Sequence, residues 1–185
     1  MIKSGSMDVS PDKLEAPIDP SLKRSLMRRQ GSVSYTYTLE DRKTREKFVH
    51  KIMSTDQSAI YGGEKMPILK RAKKLQRIHS VLSEIFEGRV VETQFLLASS
   101  KGKAQIDIVQ PFVKGEMVSF LPCEEGQKVF HYIDEKGGGW DQLTNTIADK
   151  AHVSIDFAGN VVAEIHVLSN WIKDSKSGEA ILVDF

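Results

Sequence analysis

An α+β fold in two parts is expected from three features of the chain. Two alternating segments, "SVSYTYTLE" and "KFVHKIM", flank a polar turn, "DRKTRE". One long amphipathic segment, "PILKRAKKLQRIHSVLSEIFEG", follows. Beyond a connector near residues 111–122, helical patterns give way to short hairpins. The order is strand, strand, helix, strand, strand, then helices, then short hairpins, which is an α+β arrangement in two lobes.

Residues 1–26 hold three prolines, several serines and few large apolar side chains, so they are expected to be a flexible leader. The two alternating segments are rich in β-branched and aromatic residues and read as a strand, a turn and a return strand. In the return strand the period of two puts Phe48, His50 and Ile52 on one face and Val49, Lys51 and Met53 on the other. Lys51 thus stands between apolar neighbours, where an exposed edge lysine is the plain alternative. In the long segment Ile68, Ala72, Leu75, His79, Leu82 and Phe86 recur at three-four spacing, with Pro67 suited to the first turn and Gly88 to the stop. Its polar face carries Lys70, Arg71, Lys73, Lys74 and Arg77: a solvated face, or one that meets an acidic partner.

"VVETQFLLAS" and "AQIDIVQPFV" read as a hairpin around "SKGK". "QKVFHYIDEK" is a short helix broken by three glycines, and "WDQLTNTIADKA" is a second helix. "VSIDFAGNVVAEI" and "NWIKDSKSGEAILVDF" read as two hairpins, turning at "AGN" and "SKSG".

Composition narrows the function. The 185 residues are 40% hydrophobic, enough for a core, and 26 basic side chains balance 25 acidic ones. Global charge therefore points to no nucleic-acid partner. No apolar run approaches a membrane span, and Met1 to Gln30 is too polar for a signal peptide. The single Cys123 is expected to be a buried or inert thiol, and His50, His79, His131, His152 and His166 show no zinc spacing.

The stretch "QGSVSYTYTLEDRKTREKFVHKIM" resembles the opening of the protein kinase-like fold: a glycine-rich hairpin, a turn, and a strand carrying the nucleotide lysine. Gly31 falls on the middle glycine, with Arg29 and Ser34 at the outer two glycine positions, and Lys51 falls on the lysine. "IDIVQPFVKGE" is similar to the last small-lobe strand entering the hinge, and "IHVLSNWIKDSKSGEAILVDF" to the catalytic hairpin ending in Asp-Phe.

The resemblance implies a five-stranded antiparallel N-lobe sheet with one packed helix (residues 27–113) and a strongly reduced C-lobe (114–185), as in small kinase-like effectors that bacteria deliver into host cells. It implies ATP and Mg²⁺ as cofactors. Gly31, Ser32, Val33 and Lys51 would meet the phosphates, the Pro111 carbonyl and Val113 amide the adenine, and Asn170 and Asp184 the metal. Glu64 or Glu84 would pair with Lys51. Ile165 stands five residues before Asn170, where the family has its catalytic aspartate. Glu164 or His166, or more remotely Asp156, would then act as the base.

Three functions stay open: a minimal kinase acting on a partner or host protein, a non-catalytic pseudokinase that binds a protein, and a small-molecule phosphotransferase. The expected location is the cytoplasm, that of a host cell for an effector.

Overall fold

The computed structural model describes residues 22–26, 34–54, 67–100 and 103–185. These residues form four α-helices and two antiparallel sheets, so the expected α+β class holds. The chain divides into two compact units, Met1–Gln76 with Glu92–Phe112, and Arg77–Val91 with Val113–Phe185.

The first unit is built on a five-stranded sheet in the order β1-β2-β3-β5-β4. Its strands are β1 (Leu22–Leu26), β2 (Ser34–Asp41), β3 (Lys47–Ser54), β4 (Gln94–Ser100) and β5 (Lys103–Pro111). The β2–β3 turn is held by the Asp41 carboxylate, which accepts from the N–H groups of Lys43 (2.7 Å) and Thr44 (3.1 Å). Those donors hold the Asp41 carboxyl below its ordinary range. The turn fixes the register that sets Lys51 opposite Thr36 on one side, and β5 sets Ile108 opposite it on the other. β5 is buried on both faces from Ile106 to Gln110. Its polar members are paired: Gln110 donates to Thr93 Oγ1 at 2.9 Å, and Asp107 accepts from Gln105 at 2.6 Å.

α1 (Ile68–Ile85) begins after Pro67, whose carbonyl accepts the Arg71 N–H at 3.1 Å. Ala72, Leu75, Ile78, Val81, Leu82 and, just beyond, Phe86 are buried. Gly88, at φ 71°, follows the helix end, where a side chain would be strained. The boundary between the two units falls inside this helix.

The second unit packs α2 (Cys123–Gly137), α3 (Trp140–Ala151) and α4 (Ile155–Ile165) with a three-stranded sheet, β6 (Gly115–Met117), β7 (Trp171–Asp174) and β8 (Ala180–Leu182). Trp171 is its centre: fully buried, edge-on to Phe86, with its indole N–H donating to the Ile165 carbonyl at 2.7 Å. Glu125 at the start of α2 accepts from Lys128 (2.6 Å) and from Lys173 of β7 (2.7 Å), tying helix to strand.

Several expectations are corrected. The leader does not run unstructured to residue 26: Leu22–Leu26 pairs with β2, from Leu22 opposite Asp41 to Leu26 opposite Tyr37. Its earlier residues lie outside the described ones. "VSIDFAGNVVAEI" is a helix, not a hairpin. Ser154 caps it by accepting the Phe157 N–H at 3.3 Å, and Phe157, Ala158, Val161, Val162 and Ile165 form one buried face. Asp156 is therefore an exposed residue of a helix's first turn. Arg71, assigned to the solvated face of α1, is buried. Cys123, expected to be buried or inert, is exposed, which removes the buried alternative.

Candidate functional site

In the second unit the structure pairs two of the expected site residues, Glu164 and Asn170, and places Asp184 one residue after a main-chain partner of Asn170. α4 ends at Ile165 and a short 3-10 turn, Leu168–Asn170, leads into β7. The Val167 N–H donates to the Glu164 carbonyl (3.0 Å) and the Asn170 N–H to the Val167 carbonyl (2.9 Å). This tight path carries Asn170 back over the end of α4. Its side-chain amide then donates to the Glu164 carbonyl at 2.9 Å and to the Glu164 carboxylate at 3.1 Å. Both amide hydrogens are used, so Asn170 Oδ1 is left as an acceptor for another group. The Asn170 carbonyl accepts the Val183 N–H at 2.8 Å, so the next residue, Asp184, follows directly on that pairing. Asp184 is exposed, and its Oδ1 accepts the Phe185 N–H at 3.2 Å. The Phe185 ring lies 6.1 Å from the ring of His79, which donates through Nε2 to the Val91 carbonyl at 2.9 Å.

An amide oxygen and a carboxylate are hard donors suited to Mg²⁺, which keeps several waters and takes only one or two protein ligands. Among the described residues no group of three or more His, Cys, Asp or Glu has the arrangement to hold a metal by itself. Asn170 Oδ1 and the Asp184 carboxylate are donors of the type that would hold such an ion, with water and phosphate completing its shell.

The two candidate bases differ in surroundings. Glu164 is exposed and bound to Asn170. His166 donates through Nδ1 to the Val162 carbonyl at 2.7 Å, one turn back on α4. Its ring stacks with Phe130 of α2 (6.2 Å between centroids, 19° between planes) and tilts against Trp140 of α3 (5.0 Å). Ile165, where the resemblance puts a catalytic aspartate, is fully buried. Neither Phe130 nor Trp140 stands out in the sequence; only the packing of three helix ends makes them neighbours of His166.

In the first unit Lys51 is half-buried on β3, between β2 and β5. Pro111 closes β5 opposite Phe48 and is exposed. The Phe112 N–H donates to the Lys47 carbonyl at 2.9 Å, which makes Phe48 and Pro111 a non-hydrogen-bonded pair and turns the Pro111 carbonyl away from β3. Val113, in the second unit, is half-buried. Gly31, Ser32 and Val33 lie outside the described residues, as does Glu64. The other candidate partner for Lys51, Glu84, forms an ion pair with Lys150 of α3.

No helix among the described residues is long and apolar enough to cross a membrane. No family model and no curated protein matches the chain. Among solved structures the chain is similar to one titled "PpkA-294 apo form", at 12% identity and a TM-score of 0.44 over 95% of this chain. The chain spans 62% of the length of that structure. A likeness at this level carries no argument about what this protein does.

Proposed function

We propose that the chain is a minimal, kinase-like phosphotransferase that moves the γ-phosphoryl group of ATP to a Ser, Thr or Tyr hydroxyl of a partner protein. ADP leaves and the hydroxyl gives up its proton. In this reading the five-stranded sheet is the nucleotide lobe, and residues 114–185 are a reduced second lobe. Lys51 contacts the α- and β-phosphates. Gly31, Ser32 and Val33, which lie outside the described residues, would meet the phosphates. The Pro111 carbonyl and the Val113 N–H take the adenine edge. Asn170 and Asp184 are the protein's two ligands to Mg²⁺, which when bound neutralises charge on the transferring phosphoryl.

The observation that carries the reading is the fixed Asn170 side chain. Its donors are spent on Glu164, its side-chain oxygen is left over, and its main-chain carbonyl accepts the N–H of Val183, the residue preceding Asp184. Two strand features agree with it. Lys51 sits on an interior strand rather than an edge, and β1 and β2 form a hairpin whose connection contains Gly31.

A second reading, a pseudokinase that binds a protein without phosphoryl transfer, is favoured by a different observation. Ile165 is buried where the family has its aspartate, Glu164 is engaged by Asn170, and His166 Nδ1 is engaged by Val162. One experiment separates the two: labelled ATP with Mg²⁺ and a cell lysate, comparing wild type with Lys51→Ala. Label in a protein band that disappears in the variant supports transfer. No label, with a Mg·ATP-dependent thermal shift retained, supports the pseudokinase.

A further inference from the structure

The ring of His166 is the middle of an exposed aromatic platform. Phe130 comes from α2, Trp140 from the first turn of α3, and His166 and Val167 from just beyond α4. Phe130 is 38% exposed, Trp140 47% and Val167 41%. Large apolar side chains gathered this way, on three different elements, mark an interaction surface rather than scattered surface residues. The platform adjoins the candidate site, because Glu164 lies two residues before His166 and the Val167 carbonyl accepts the Asn170 N–H.

The charge around it is one-sided. The three helices that supply the platform, α2, α3 and α4, carry eight acidic side chains against three basic ones, Lys128, Lys136 and Lys150, although the whole chain has 26 basic against 25 acidic. Asp134 stands one helical turn beyond Phe130, Asp141 follows Trp140, and Glu164, which also accepts from Asn170, lies two residues before His166; all three are exposed. Exposed aromatic faces beside carboxylates select a cationic side chain, by cation–π attraction and by Coulomb attraction together.

We propose that this platform docks a basic, aromatic- or aliphatic-containing segment of the protein substrate, with an apolar side chain on the Phe130–His166–Trp140 rings and flanking Arg or Lys side chains at Asp134, Asp141 and Glu164. The purpose of the docked segment rests on the kinase reading above; its binding does not. The surface therefore selects substrates by basic charge close to the accepting hydroxyl.

The test uses the full chain without nucleotide and three synthetic peptides: one Phe flanked by arginines, the same with Glu for Arg, and the same with Ala for Phe. The chain has two tryptophans, and Trp171 is fully buried, so acrylamide quenching reports on Trp140. The Arg-Phe peptide should lower the quenching constant about twofold and bind at least tenfold tighter than either control. Affinity from the anisotropy of a labelled peptide should fall at least tenfold in Trp140→Ala and in Asp134→Lys/Asp141→Lys. Ile155→Ala, exposed at the far end of α4, should leave it unchanged. The charge-reversal variant touches only exposed positions, so it keeps the test valid if Trp140→Ala does not fold. Equal binding of the Arg and Glu peptides, or no binding at all, overturns the proposal. So does self-association abolished by Trp140→Ala, which would assign the platform to a second copy. Mg·ATP thermal shift is measured separately. A normal shift without peptide binding rejects the docking surface alone, and peptide binding without a shift rejects the nucleotide reading alone.

Discussion

The Asn170 side chain donates to Glu164 twice, to its main-chain carbonyl at 2.9 Å and to its carboxylate at 3.1 Å. Glu164 is thereby a positioning residue for Asn170, whatever further role its carboxylate has in proton transfer. The two roles separate by substitution. Glu164→Gln keeps an acceptor for Asn170 but cannot take a proton; Glu164→Ala loses both. If Glu164 only positions, Glu164→Gln retains most phosphoryl transfer and Glu164→Ala does not. If it is also the base, Glu164→Gln loses about 10²-fold or more. His166→Ala, with the Glu164 variants, completes the assignment.

Mg²⁺-dependent nucleotide binding should vanish in Asp184→Ala and weaken in Asn170→Ala. A ligand that binds only the folded state stabilises it by about 2.7 kcal/mol at a hundredfold excess over Kd. Wild type should therefore show a clear rise in Tm with Mg·ATP, and Asp184→Ala should show none. An unaltered rise in Asp184→Ala would remove this residue from the site.

Trp171→Phe should destabilise the protein by about 2–4 kcal/mol. The change leaves a void in a fully buried position and strands the Ile165 carbonyl without its donor. Urea unfolding should show a lower midpoint at constant slope. Because Ile165 lies beside Glu164, the same variant should also lower transfer more than its stability loss accounts for.

Gly115→Ala should loosen the β6–β7 pairing. A Cβ there would overlap the Lys173 carbonyl across the strands and crowd Ile172. Over-packing against backbone costs about 1–3 kcal/mol, and hydrogen exchange should rise first at Lys173 and Asp174. Equal exchange in variant and wild type would show that the strands can part there at no cost.

Acid should weaken the link between α2 and β7. The Lys128 and Lys173 ammonium groups hydrogen-bonded to Glu125 hold its carboxyl below its ordinary value of 4.5. A depressed carboxyl contributes stability that is present above the ordinary value and lost as pH falls through the folded one. The contribution is small at this solvent-screened position. Glu125→Gln should flatten part of the fall in Tm below pH about 4.5 and leave the neutral-to-alkaline side unchanged. An identical acid limb in both proteins would show that the pairing adds nothing to stability.

Local pattern alone determined much of this protein. The three-four stripe of α1, the alternation and polar turn of β2 and β3, and the bounds of α3, Trp140 to Ala151, all follow from side-chain periodicity and turn chemistry. The same periodicity placed Lys51 between apolar neighbours in a strand. Tertiary structure decided the rest. "LKRSL" has no apolar alternation to mark it, yet it is β1, because an edge strand is held by main-chain hydrogen bonds to β2. "VSIDFAGNVVAEI" has the β-branched residues and the "AGN" turn of a hairpin. It is α4 because Phe157, Ala158, Val161, Val162 and Ile165 can be buried together only on a helix, and α3 supplies a surface to bury them against. The end of that helix then sets Glu164 under Asn170 and His166 between Phe130 and Trp140. The Glu164–Asn170 contact is made by the local turn after α4, whereas the ring contacts join residues remote in sequence, and only the packing of helix ends brings those within stacking distance.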